Sequence, residues 1–395
     1  MQLPNGSDTS LRRAAALASA LSLLAALALL AGCGSLGTST PPPPTHLLLV
    51  SDSNNNRVVV YTSPFSNGEN ASTVLGQANL TTAAPALTAA GMSAPADAIE
   101  DSAGNVYVTD QLNNRVLQYK APLSTGMNAS VVIGQPDFVT GAANTTQNGL
   151  SGPVGMALDA SGNLWVADLG NNRVLEYKPP FASNMNASLV LGEPDFTSVN
   201  FVTSSSGLVI PFFVAFDAGG NLWVGDTGNN RVLEFKPPFV NGMGASLVIG
   251  QPDFVSSGSA TTASTFNFPT GIAFDGSGNL WVGDTSNNRV LEFSPAFATG
   301  MSANLVLGQA NFTSSTSATT QNGFFNPFGI AFDSSGNLGV ADFANNRTLG
   351  FSPPFSTNQN AGLVLGQANF TSAAIAATAA SQVSPIAVSA ATGSN

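Results

Sequence analysis

The sequence predicts an all-β repeat protein, and three observations carry that reading. Six arginines, Arg57, Arg115, Arg173, Arg231, Arg289 and Arg347, stand 58 residues apart with no insertion between them. Each follows two asparagines and has an aspartate five positions before it: Asp52, Asp110, Asp168, Asp226, Asp284 and Asp342. Only 8% of residues are charged and 43% are hydrophobic, a composition that suits short strands and turns better than amphipathic helices. A period of this length, strictly kept, marks a repeat architecture.

One unit reads as four strands. Pro153 opens a short apolar run ending at Leu158, and the Asp-Ala-Ser-Gly-Asn of residues 159–163 is turn chemistry. Residues 164–167 form a second strand ending at Asp168. After the turn at 169–172 a third strand runs from Arg173 to Tyr177. Pro179 and Pro180 stop it, because proline has no N–H for the ladder. Residues 188–191 make the fourth strand, and a Ser/Thr-rich stretch leads to the next unit. Four strands per unit and six units predict a six-bladed β-propeller.

The ends of the chain carry the prediction of closure. The first unit begins at its second strand, residues 48–50, with no first strand before it. The register places a seventh first strand at residue 385, where Pro385-Ile386-Ala387-Val388 stands. The C-terminal strand therefore completes the blade that residue 48 begins, leaving no open sheet edge at the seam. An open solenoid is the alternative. The unit Gly-Asn-Leu-Trp-Val-x-Asp-x-x-Asn-Asn-Arg-Val-Leu-Glu-Phe, complete at residues 278–293, resembles the NHL repeat. The flanking Pro-Pro-Phe and Gly-Gln-Pro-Asp-Phe segments resemble those of bacterial NHL propellers. The resemblance spans residues 48–395 and implies the same six-bladed fold. It implies little about activity, because propellers host many functions.

Residues 1–32 read as an export signal: Arg12 and Arg13, then an apolar run over residues 14–31. Leu30-Ala31-Gly32-Cys33 resembles the lipobox of bacterial lipoproteins, which implies that Cys33, the sole cysteine, is lipidated. A plain transmembrane anchor is the alternative. Residues 33–46, with Pro41 to Pro44, read as an extended tether to a propeller domain at 47–395. Localisation is then the bacterial cell envelope, and Gly34 after the cysteine favours the outer membrane. Removing the signal takes one acid and two bases from the 22 and 11 of the whole chain. A formal charge of −12 remains, which argues against nucleic acid as a partner. A monomer is expected.

Residues present in every blade serve what every blade needs, so the Asp–Arg pairs read as a structural staple across one turn. Trp165, Trp223 and Trp281 share one position with Tyr107, Leu49 and Gly339. They read as packing between blades rather than as a sugar-stacking ring, with Gly339 leaving the sixth blade less filled. Binding residues are sought instead on loops and where the repeat is broken. Strand alternation puts the second-to-third turns and the long fourth-to-first connections on one face, and both chain ends on the other. On the loop face Asp137, Glu193, Asp195 and Asp253 make one half acidic, against Asn79, Asn311 and Asn369 on the other. A basic partner or a cation is one reading; solvated turn carboxylates are the other.

The sharpest break is Asp97-Ala98-Ile99-Glu100-Asp101, where other units carry Gly-Met-Ala-Leu-Asp or Gly-Ile-Ala-Phe-Asp. Asp97, Glu100 and Asp101 together could hold Ca²⁺ through oxygen donors. Alternatively a one-residue slip turns Glu100 to water. The function these features favour is an envelope-anchored binding or scaffold module for a protein or carbohydrate on the loop face. Two other classes stand beside it: a propeller enzyme resembling metal-dependent lactonases or antibiotic-inactivating lyases, and a purely structural envelope protein. The enzyme reading has no nucleophile motif, and the lone His46 sits beside the proline run.

Overall fold

The structure, a computed structural model, describes residues 46–392. The export signal, Cys33 and the proline run lie outside the described residues, as do residues 393–395. Among the described residues no helix is long and apolar enough to cross a membrane.

Six four-stranded antiparallel sheets form the blades of a β-propeller. Blade 2 consists of Pro95–Glu100, Val106–Asp110, Arg115–Tyr119 and Val131–Ile133, from the inner strand outward. Blade 3 runs from Pro153–Leu158 to Leu189–Leu191, blade 4 from Pro211–Phe216 to Leu247–Ile249, blade 5 from Pro269–Phe274 to Leu305–Leu307, and blade 6 from Pro327–Phe332 to Leu363–Leu365. Blade 1 takes its inner strand, Pro385–Thr392, from the C-terminal end. This pairs with His46–Asp52, followed by Arg57–Thr62 and Thr73–Leu75. The closing pair runs from His46 opposite Thr392 to Asp52 opposite Pro385, so the ring closes as the half-repeats require. The strand at the seam starts at His46, two residues before Leu48.

The Asn-Asn-Arg motif has a backbone cause. Each second strand ends in a three-residue 3₁₀ turn. The next residue, Asn56, Asn114, Asn172, Asn230, Asn288 or Asn346, adopts a left-handed conformation with φ near +54°. Asparagine tolerates that region better than most side-chain-bearing residues. Most of the core lies between blades, with one smaller cluster of inner-strand residues at the centre of the ring. Trp165, Trp223 and Trp281 are fully buried, each against the phenylalanines of the following blade. Trp165, for example, meets Phe216 and Phe239 edge-on at 5.8 and 4.9 Å.

Blade 6 lacks this filling. Gly339 stands where the tryptophans do, Ala390 where Phe216 does, and a cavity of about 40 Å³ remains beside Leu48, Phe65 and Leu363.

Candidate functional site

Each arginine is fully buried, and all three of its guanidinium nitrogens donate. In blade 4, Arg231 Nε donates to Asp226 Oδ2 at 2.6 Å and Nη1 to the Phe254 carbonyl at 2.5 Å. Nη2 donates to the carbonyls of Ser204 and Gly207 at 2.7 and 3.2 Å. The aspartate is satisfied as completely. Asn229 Nδ2 donates to Asp226 Oδ2, and the Val209 N–H to Oδ1. The other five blades repeat these bonds, the Nη1 bonds being Arg173 to Phe196 and Arg347 to Phe370 in blades 3 and 6. Burial pushes the six carboxyls up from their ordinary pKa, and the guanidinium, the asparagine and the N–H oppose it. Each arginine thus ties the long connection entering its blade to the one leaving it. All twelve residues are consumed in holding the loop face rigid.

The acidic residues of the loop face separate into two kinds. Asp137, Asp195 and Asp253 are exposed turn caps. Asp137 accepts from the N–H groups of Val139 and Thr140, both at 2.9 Å, and Asp253 from those of Val255 and Ser256. Asp195 accepts from Thr197 and Ser198, and the Thr197 N–H foremost brings its carboxyl down to about 2. Asn79, Asn311 and Asn369 use their side-chain oxygens in the same way. Aspartate and asparagine are therefore interchangeable as caps here, and only the exposed charge differs. Glu193 is instead buried, 1% exposed. It occupies the place of Gln135, whose Nε2 donates to the Asn114 and Ala142 carbonyls. A carboxylate cannot donate, so Glu193 accepts from the Asn200 N–H and Nδ2 at 2.5 and 2.6 Å.

Asp97 and Glu100 lie on the inner strand of blade 2 and Asp101 just after it, and the three do not share a set of partners. Inner-strand pairing in blade 2 places Ala98 opposite Val108 and Glu100 opposite Val106. Blade 3 has the same register, with Met156 opposite Val166 and Leu158 opposite Leu164. The one-residue slip is therefore not present: the bulge near Asp97 recurs in every inner strand, and it keeps Glu100 in register. Asp101 caps the first-to-second turn, accepting from Ala103, Asn105 and the Tyr107 hydroxyl, as Asp159 does from Ser161, Asn163 and Trp165. Asp97 turns into the central channel. Its Oδ2 accepts from the Met156 N–H of the neighbouring blade at 2.8 Å, and its Oδ1 from the Ala98 N–H. Burial pushes its carboxyl up to about 7 against the pull of these two N–H groups. Among the described residues no group of three or more His, Cys, Asp or Glu is placed to hold a metal ion.

The channel has two unlike halves. At the loop face Phe212 lies 5.5 Å from both Phe213 and Phe328, and Phe343 lies 4.7 Å from Phe328, within one apolar cluster. The other half holds a cavity of about 360 Å³, lined by Asp97, Glu100 and otherwise almost wholly by apolar residues, among them Met156, Ile272 and Ile330. The repeat pattern gives no sign of this cavity, because its walls are the ordinary inner-strand residues.

The NHL repeat family matches this chain at residues 150–177 and 266–293, the first three strands of blades 3 and 5. These segments are NHL repeats. No curated protein matches the chain in sequence. Among solved structures, a nidogen/laminin complex aligns with a TM-score of 0.51 at 16% identity, covering 89% of this chain and 100% of that one. A Bacteroides caccae protein of unknown function aligns at 0.51 and 9% identity, over 88% and 99%. Virginiamycin B lyase from Staphylococcus aureus aligns at 0.43 and 14% identity, over 80% and 83%. At these identities the likeness concerns the fold alone.

The propeller also carries apolar side chains on its surface, at positions outside the repeated motif. Of the nine large hydrophobic residues exposed among the described residues, eight lie in second-to-third turns or fourth-to-first connections. They are Leu112, Val139, Val199, Phe201, Val202, Val255, Phe325 and Ile375; only Val240 lies elsewhere.

Proposed function

We propose that the chain is a lipid-anchored envelope protein whose propeller is a binding module, with its loop face turned to a protein partner. The observation that carries the reading is the one-sided distribution of exposed apolar residues. Apolar side chains held in water cost free energy that a partner's surface recovers. The arginine network supports it: the Phe138 and Phe254 carbonyls held by Arg115 and Arg231 immediately precede Val139 and Val255, so the contact residues sit on tethered backbone. Asp137, Asp195 and Asp253 set acidic charge among them, which favours a basic rim on the partner. The lipobox resemblance at Cys33 and the proline run after it support the anchor. They fit the described chain beginning at His46 on the opposite face.

The test separates the faces. The full chain is used to capture partners from an envelope extract, beside Phe201→Ser/Val255→Ser and the opposite-face control Val240→Ser, all with matched melting temperatures. A partner retained by wild type and Val240→Ser but lost by the loop-face pair is the expected result. Retention by all three contradicts the assignment.

A further inference from the structure

The central cavity lies at the face opposite the proposed partner surface and has a chemistry of its own. Its volume, about 360 Å³, is in the range of small-ligand sites. Its walls are aliphatic and aromatic, with Phe213, Phe216, Phe274 and Phe332 among them, and no Lys, Arg or His lines it. Asp97 is only 4% exposed and forms no ion pair among the described residues. Its two bonds come from neutral backbone N–H groups, so its charge is solvated but not neutralised. Glu100 lines the same wall. At the mouth the turn aspartates Asp101, Asp159, Asp217, Asp275 and Asp333 each follow the last residue of an inner strand. His46, beside Glu100, Asp101 and Asp333, is a titratable base at this mouth, and an excess of acidic groups over low-dielectric walls concentrates the opposite sign.

We propose that this cavity binds a small organic monocation, an ammonium group carried on an apolar body. The ammonium would meet Asp97 and Glu100, and the body the facing inner strands of blades 4 to 6. A hard divalent ion is the poorer match, because it requires six or more oxygen ligands and the opposite wall offers apolar side chains. Aromatic walls favour a cation further. The blade-to-blade contact excludes a side chain at this position in blades 3 and 5, whereas blades 2 and 4 carry one, Asp97 and Phe213. A Cβ on Gly155 or Gly271, the equivalents of Asp97, would come within 2.6 Å of the Phe212 carbonyl or 2.3 Å of the Phe328 carbonyl. Beside blade 2, the Asp97 carboxylate instead takes up the Met156 N–H.

The test is calorimetric titration of the full chain in detergent with 2-phenylethylammonium, beside neutral 2-phenylethanol. Two variants share the same detergent background. Asp97→Asn removes the charge at constant shape. Ala215→Ile/Ala331→Ile fills the cavity with the side chain that blade 2 already carries at Ile99. The cation is expected to bind at least ten-fold more tightly than the alcohol. Asp97→Asn should bring it to the alcohol's level, and the double isoleucine variant should weaken both. The proposal is overturned if the wild type shows no cation preference, if a folded Asp97→Asn keeps it, or if filling the cavity leaves cation affinity unchanged.

Discussion

In every blade one carboxylate oxygen, Oδ2 of the repeated aspartate, accepts from an arginine and an asparagine at once, while the other takes a backbone N–H. Such a group is satisfied in full, which is why it tolerates complete burial. Asp97 is the contrasting residue. It is equally buried but faces no cation, and its pKa stands at about 7 against an ordinary 3.8. Between those values the folded state binds more protons at this residue than the unfolded chain does. Stability contributed by Asp97 is therefore present below about pH 4, falls as pH rises, and levels off above about 7. The predicted signature is that wild type loses stability relative to Asp97→Asn over this window, by a few kcal/mol at most; urea unfolding from pH 4 to 8 measures it. A parallel pair of curves would contradict the assignment. That Asp97 differs from its equivalents was legible from the 58-residue register. Its orientation was not, because whether it bridges to Met156 depends on how closely the inner strand of the next blade approaches.

The strands themselves were legible almost to the residue. Pro153–Leu158 and Arg173–Tyr177 fall where proline and turn residues bound them, and Leu189–Leu191 begins one residue later than expected. The tryptophan strands show why a repeated aromatic at this position serves packing between blades. Each indole N–H donates to the turn aspartate six residues earlier, as Trp223 does to Asp217 at 3.0 Å, while the ring fills the gap to the next blade. Gly339 lacks both functions in ordinary strand backbone, and an added Cβ would meet the two Val388 methyls at 3.2 and 3.5 Å and the Ala331 carbonyl at 3.7 Å. Gly339→Ala is accordingly expected to stabilise the protein by about 0.5–1 kcal/mol, through the unfolded chain's lost freedom and the filled space. A small rise in melting temperature checks this, and a fall would show that Val388 cannot yield. What the element pattern hid was the exposure of Phe201, Val202 and Val255, because a Ser/Thr-rich connection carries no periodicity that sorts inside from outside.

On the scale of the molecule, function and frame divide by symmetry. What repeats six times is spent on the ring. What differs between blades, the apolar tips of the loop face and the acid wall of the channel, is available for recognition. The division depends on closure, and Arg57 is the residue that reports it. Its Nη2 donates to the carbonyls of Thr378 and Ser381 at 2.9 Å, 321 and 324 positions away, where Arg231 uses the nearby Ser204 and Gly207. In a closed propeller the two arginines are equivalent, although one stands near the start of the described chain and the other at its middle. Removing either leaves a buried carboxylate and three carbonyls without their donor, a loss of about 3–5 kcal/mol. The measurement is the unfolding free energy of Arg57→Ala beside Arg231→Ala. A closed ring predicts large and nearly equal losses; a small loss for Arg57→Ala beside a full one for Arg231→Ala would contradict closure at Pro385–Thr392.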